Sequence, residues 1–188
     1  MSTLAGPVRT TPLDVERASK AEGKRFELVR GELKEKAVGF WALFIAVRIA
    51  ERLNAHFYPN VGAAAVEVMI YCFARADHGR RPDVVFVRND RFPDRRIPDG
   101  DIRIVPDLVV EVLSPANSGI DVEDKLDEYL GAGISMVWIV NPDRRTIRIY
   151  RGDGTTRLFR AGETMENEPA LPGFRLPVAD VFPEPVST

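Results

Sequence analysis

Glu111 is the most out-of-place charge in the chain, because it stands inside the apolar run Val109-Val110-Glu111-Val112-Leu113. A carboxylate there is costly to bury unless it is paired or holds a cation. A second acid, Asp83, opens a similar run, Asp83-Val84-Val85-Phe86-Val87. If the two runs pair as an antiparallel hairpin, the start of one lies beside the end of the other. Asp83 then converges with Glu111, while Asp107 falls at the far end, near Val87, as a strand-entry residue. Two converging carboxylates with no Cys or His beside them suit a hard, oxygen-loving cation such as magnesium or manganese. The competing reading of Glu111 is a buried ion pair with an arginine.

Lys125 is the next candidate. It is the only lysine after Lys36, in a stretch otherwise supplied with arginine. A lysine offers a compact charge and a pKa that responds to burial, which arginine does not. The plain alternative is a solvated lysine offset by Glu123 and Asp124. Tyr129 follows four residues later on the same helical face and reads as core or rim. Glu27 and Glu32 flank a hairpin turn at Arg30-Gly31, where glutamate is usually solvated. His56 and His78 stand alone. No GxSxG, GxxxxGK[ST] or GxGxxG run is present, so a serine triad, a P-loop and a dinucleotide turn are all unsupported. Arg80-Arg81, Arg95-Arg96 and Arg144-Arg145 are phosphate-binding candidates, each weak alone.

These residues need elements to position them. Thr11 caps a helix beginning with Pro12, with Asp14 in its first turn, running to about Ala21. Phe26, Leu28 and Leu33 mark the hairpin. Phe40 to Phe57 is the clearest helix, with Leu43, Phe44, Val47 and Ala50 as its apolar stripe. Val66, Val68, Ile70 and Cys72 alternate with polar or larger residues and predict a strand. Valine-rich strands follow at Pro82–Val87 and Pro106–Leu113, separated by a charged loop. Pro115 to Gly119 reads as a loop. Asp121 is expected to cap a helix ending at Gly131. Met136–Val140 and Thr146–Tyr150 are strands joined by the turn Asn141-Pro142-Asp143, and Thr156–Phe159 is a last short one. This order is a mixed α/β domain with helices flanking a sheet whose middle strands are buried.

The 188 residues suit one domain, residues 1–188 with a core over about 12–183 and looser ends at the N-terminus and at Pro183 and Pro185. The net charge of −2 excludes a polybasic nucleic-acid binder, so any such contact must be local. The lone Cys72 excludes an internal disulfide, and one Cys with two His cannot build the usual zinc cage. No signal peptide or bilayer-long apolar run is seen, so a cytoplasmic protein without membrane contact is expected. A homodimer through exposed strands or the long helix is the expected assembly.

Glu27-Leu28-Val29-Arg30-Gly31-Glu32-Leu33, Arg81-Pro82-Asp83-Val84 and Pro106-Asp107-Leu108-Val109-Val110-Glu111-Val112-Leu113-Ser114-Pro115 together resemble the Uma-two family of restriction-endonuclease-like proteins. So do Lys125-Leu126-Asp127-Glu128-Tyr129-Leu130-Gly131-Ala132-Gly133, Val137-Trp138-Ile139-Val140-Asn141-Pro142 and Leu171-Pro172-Gly173-Phe174. That family is similar to the PD-(D/E)XK nuclease superfamily. The resemblance implies a restriction-endonuclease-like α/β core, a central mixed sheet flanked by helices. It implies Asp83 and Glu111 as the pair holding magnesium (or manganese), Lys125 as the active-site lysine, and Glu27 as an acid completing the metal shell. It also implies hydrolysis of phosphodiester bonds in nucleic acid, DNA foremost. A catalytically degenerate member acting as a binding module is the alternative. Three positions depart from the pattern. The residue two after the glutamate is Leu113 rather than lysine, so the lysine must come from the next helix. Gly39-Phe40-Trp41 lacks the histidine many members carry there. Asn141 replaces an aspartate and reads as turn chemistry.

Overall fold

The computed structural model describes residues 10–114 and 119–183. The Pro115–Gly119 loop, except Gly119, and Pro185 therefore lie outside the described residues. Among the described residues three α-helices and ten strands form in the order α1 (Pro12–Glu22), β1 (Phe26–Val29), β2 (Glu32–Glu35), α2 (Phe40–Phe57), β3 (Gly62–Val66), β4 (Val84–Arg88), β5 (Leu108–Val112), α3 (Gly119–Gly131), β6 (Met136–Asn141), β7 (Thr146–Arg151), β8 (Thr156–Arg160), β9 (Thr164–Glu166) and β10 (Arg175–Pro177). The central sheet has six strands in the order β3-β4-β5-β6-β7-β8. Only β5 and β6 run parallel, and α3 makes the crossover between them.

Every residue of β4 from Val84 to Val87 and of β5 is buried, which is why these strands are runs of valine rather than alternations. Alternate side chains feed two cores. Val84, Phe86, Val110, Trp138 and Ile149 pack beneath α2. Val85, Val87, Val109, Val137 and Ile139 pack with Leu126 and Tyr129 of α3. Glu111 has the parity of Val109, so its side chain belongs to the α3 face.

Thr11 starts α1 as expected, with its backbone N–H donating to Asp14 Oδ2 at 2.8 Å. Three local expectations are corrected. The buried stripe of α2 is Ala42, Ile45, Ala46, Ile49, Ala50, Leu53 and Phe57, while Val47 is exposed. That helix is apolar over most of its circumference, and the alanine side is the one that approaches the sheet closely. The strand predicted over Val66–Cys72 shares only Val66 with the observed β3, Gly62–Val66, because Glu67 takes a left-handed conformation with φ of 56° and turns the chain away. Helix α3 begins at Gly119, so Asp121 lies in its first turn rather than capping it, and Lys125 sits mid-helix. Among the described residues no helix is long and apolar enough to cross a membrane.

Candidate active site

Strands β4 and β5 pair antiparallel with Val84 opposite Val110 and Val85 opposite Val109. One further step of that register brings Asp83 opposite Glu111 at the end of the sheet. The backbone N–H of Val112 donates to Asp83 Oδ2 at 2.6 Å. Asp107 lies at the other end, where it accepts from the Arg88 backbone N–H at 2.9 Å and from Arg91 Nε at 2.8 Å. It has no part in the cleft.

Helix α3 crosses over this end of the sheet and presents two side chains to Glu111. Lys125 Nζ donates to Glu111 Oε2 at 2.8 Å, and the Tyr129 hydroxyl donates to Oε1 at 2.6 Å. The spacing of four residues on a helix stacks these two groups on one face. Glu111 is thus paired to a lysine and a tyrosine, and not to the arginine that the competing reading required. The hairpin of β1 and β2 closes a further side. Glu27 is buried there, accepting from Arg80 at 2.9 Å and from the Arg81 backbone N–H at 3.0 Å, with Lys125 Nζ 3.7 Å away. Glu27, Asp83, Glu111 and Lys125 all line one cleft of about 290 Å³.

Two members of this cluster had no signal in the sequence. Lys36 follows the exposed strand β2 in Glu32-Leu33-Lys34-Glu35-Lys36, which reads as a solvated stretch. Its ammonium nevertheless donates to Asp83 Oδ1 at 2.8 Å, Glu67 Oε1 at 2.8 Å and the Arg81 carbonyl at 2.6 Å. Glu67 reads as one polar position of a strand and is instead a buried carboxylate turned inward by its left-handed backbone. The pattern of local residues carries no trace of either contact.

Arg80 and Arg81, candidates for phosphate, are committed to the framework. Arg80 is buried between Glu27 and Glu128, with its Nε 2.6 Å from Glu128 Oε2. Arg81 donates to the Glu67 carbonyl. His78 is also buried, its Nε2 3.1 Å from Glu128 and its Nδ1 accepting from the Arg30 backbone N–H. Asn141 performs turn chemistry, its Oδ1 accepting from the Arg144 backbone N–H at 2.9 Å.

Burial dominates the electrostatics of the pair. It pushes the Glu111 carboxyl up against the pull of Lys125, and the neighbouring Asp83 adds to the rise. It pushes Asp83 up likewise, against Lys36 and the Val112 N–H. Burial also opposes the charged forms of Lys36 and Lys125, but the surrounding carboxylates outweigh it and raise both ammonium groups. Glu27 goes the other way, since Lys125, Arg80 and the Arg81 N–H overcome its burial and hold it low. The cleft therefore contains two carboxylates that would gain from additional positive charge and a lysine that stays charged.

The model of the Uma2 family, described as "Putative restriction endonuclease", matches residues 13–179. The chain belongs to that family. A solved structure, a "putative nuclease belonging to DUF820" from Anabaena variabilis, is similar with a TM-score of 0.72 and 24% identity, over 85% of this chain and 90% of that one. At that identity the likeness bears on the fold alone. Among curated proteins the chain has no match.

Proposed function

We propose that this family member is a magnesium- or manganese-dependent endonuclease that hydrolyses phosphodiester bonds in nucleic acid, with DNA as the substrate. The observation that carries the reading is the convergence of Asp83, Glu111 and Lys125 on one cleft, from three different elements.

The donor set fits the cation. Among the described residues no group of three or more His, Cys, Asp or Glu side chains is arranged to hold a metal. Magnesium does not require one, since it keeps several waters and uses one or two carboxylates together with substrate phosphates. Asp83 and Glu111 supply those two carboxylates, and each oxygen of an ionised carboxylate has a second lone pair beyond its present hydrogen bond. Bound there, the ion would polarise the phosphate and make an adjacent water acidic enough to attack.

The chain's own groups do the rest. Lys125, held between Glu111 and Glu27, keeps its proton and offers positive charge to an oxygen that becomes more negative in the transition state. Tyr129 fixes the orientation of Glu111, as the Val112 N–H fixes that of Asp83. Arg80 holds Glu27 in place and so positions the far side of Lys125. A homodimer remains part of this proposal, as the arrangement that would present two clefts to a duplex.

The test is calorimetric titration of magnesium and manganese into the wild type and Asp83→Asn, followed by cleavage assays on single- and double-stranded DNA. Metal-dependent cleavage with binding that disappears in the variant is the expected result. A second reading has its own support: both oxygens of Asp83 and both of Glu111 are already hydrogen-bonded. A folded protein that neither binds these ions nor cuts any nucleic acid would make this a binding module built on an ion-paired scaffold.

A further inference from the structure

The row of the sheet that carries Glu111 continues to the far edge. Glu111 is register partner to Ile139 on β6, Ile139 to Arg148 on β7, and Arg148 to Leu158 on β8. The adjacent row, nearer the catalytic end, pairs Asn141 with Thr146 and Thr146 with Arg160. Side-chain alternation puts both rows on the α3 face. Arg144, in the turn between β6 and β7, belongs to the same end of the sheet.

A groove of about 910 Å³ lies between α3 and these strands, and Arg144, Arg148 and Arg160 line it. All three are exposed. Among the described residues none of their side chains forms an ion pair, and Glu123 is the only acid lining the groove. Other arginines are neutralised by carboxylates, Arg80 by Glu27, Arg91 by Asp107 and Arg151 by Glu168. Three exposed guanidinium groups without a carboxylate partner thus gather in one groove, a local positive charge in a chain whose net charge is −2.

The groove and the catalytic cleft flank α3 and meet at its N-terminal side. Leu113 lines the groove, and the next residue, Ser114, lines the cleft. A polymer lying in the groove is thereby led to Asp83 and Glu111, whereas a small anion would have no reason to span both.

We propose that this groove binds the sugar-phosphate backbone of a nucleic-acid strand flanking the cleft, with Arg144, Arg148 and Arg160 as its phosphate contacts. The inference rests on the nuclease reading and adds the path of the substrate. Guanidinium suits the task because its fork of donors matches phosphate oxygens. Strands spaced about 4.8 Å apart put the backbone of Arg148 roughly 10 Å from that of Glu111. At about 3.4 Å per nucleotide, that is a contact about three nucleotides from the reacting phosphate.

The experiment is fluorescence anisotropy of a labelled oligodeoxynucleotide, single-stranded and as a duplex, with the full chain in EDTA. Wild type, Arg148→Gln, Arg160→Gln and the double variant are compared across a salt series. Arg157→Gln is the control, since Arg157 points to the opposite face and covers the Phe159 ring. The expected result is several-fold weaker binding for each groove variant, more for the double, with the slope of log K against log salt falling by about one per arginine removed. The control should match the wild type. If the wild type binds and the groove variants share its affinity and slope, this proposal fails and the nuclease reading stands. If the wild type binds neither DNA nor the RNA of the same sequence, the nuclease reading fails and takes this one with it. Loss of binding to a labelled polyglutamate peptide in the double variant, with DNA binding unchanged, would overturn it in favour of an acidic protein partner.

Discussion

Asp83 is tied to Glu111 through the backbone: the N–H that Asp83 Oδ2 accepts, at 2.6 Å, is that of Val112, the residue immediately after Glu111. The two carboxylates are therefore positioned by the same strand pair, and neither can shift along its strand without breaking the register that buries β4 and β5. The pair depends on the sheet rather than on a loop, which is the rigid support a reactive site needs.

Glu111→Gln separates chemistry from packing. The amide keeps the shape, its oxygen can accept from Lys125 and its NH2 can donate to the Tyr129 oxygen, but it loses the charge. Magnesium-dependent cleavage should fall by about a thousandfold, the scale seen when a charge-stabilising group is removed from an active site. The melting temperature should fall only modestly. Wild-type cleavage rates in this variant, measured on any DNA substrate the protein cuts, would remove Glu111 from the site.

Lys36→Met should test whether Lys36 neutralises the acids beside it. The substitution leaves Asp83 and Glu67 buried without their shared cation, and breaking a buried pair on one side costs about 3–5 kcal/mol. Thermal unfolding should show a clearly lower midpoint in EDTA. Millimolar magnesium should restore part of that loss in the variant and do less for the wild type. Equal midpoints for the two proteins in EDTA would mean that the lysine is dispensable to the network.

Much of this frame was legible in the sequence, and the limits are informative. Valine runs identified β4, β5 and β6 because strands buried on both faces need no polar alternation. Antiparallel pairing alone sorted Asp83 from Asp107, since opposite strand ends cannot meet. The buried stripe of α2 is not set by the sequence pattern, because Leu43, Phe44 and Val47 are as apolar as Ile45 and Ile49, and only the packing of the small Ala42 and Ala46 against the sheet selects the buried side. Lys36 and Glu67 lay out of reach for a different reason. Their burial is created by chain segments 31 residues apart meeting over the sheet end, and no local period records that. The β9 and β10 strands have three residues each and contain or adjoin turn residues, too short for a period to show.

Acid should loosen the wall behind Glu27. Burial alone would raise the Glu128 carboxyl, but His78 and Arg80 outweigh it and hold it down to about 2, below its ordinary value of 4.5. A carboxylate depressed in the folded state contributes stability that is complete above its unfolded pKa and is lost as pH falls toward its folded one. That window runs from about 4.5 down to about 2. Glu128→Gln should flatten the decline in melting temperature across it, while lowering stability at neutral pH because Arg80 keeps only Glu27 as a charged partner. An unchanged acid limb in the variant would show that other carboxylates govern it.

Asp107→Asn provides the matching control for Asp83→Asn. Both aspartates follow a proline, both are buried, and both accept a backbone N–H from the strand end beside them. Asp107, however, sits at the end of the sheet away from the cleft and is paired to Arg91. Its amide variant should lose about 1–3 kcal/mol of stability, the cost of weakening a buried charged hydrogen bond. Cleavage and metal affinity should stay at wild-type levels at a temperature where both proteins are folded. Asp83→Asn should lose metal affinity in calorimetry and cleavage with it, at a comparable cost in stability. If the two variants impair cleavage equally, the activity depends on sheet integrity alone, and the assignment of Asp83 to the reacting centre is wrong.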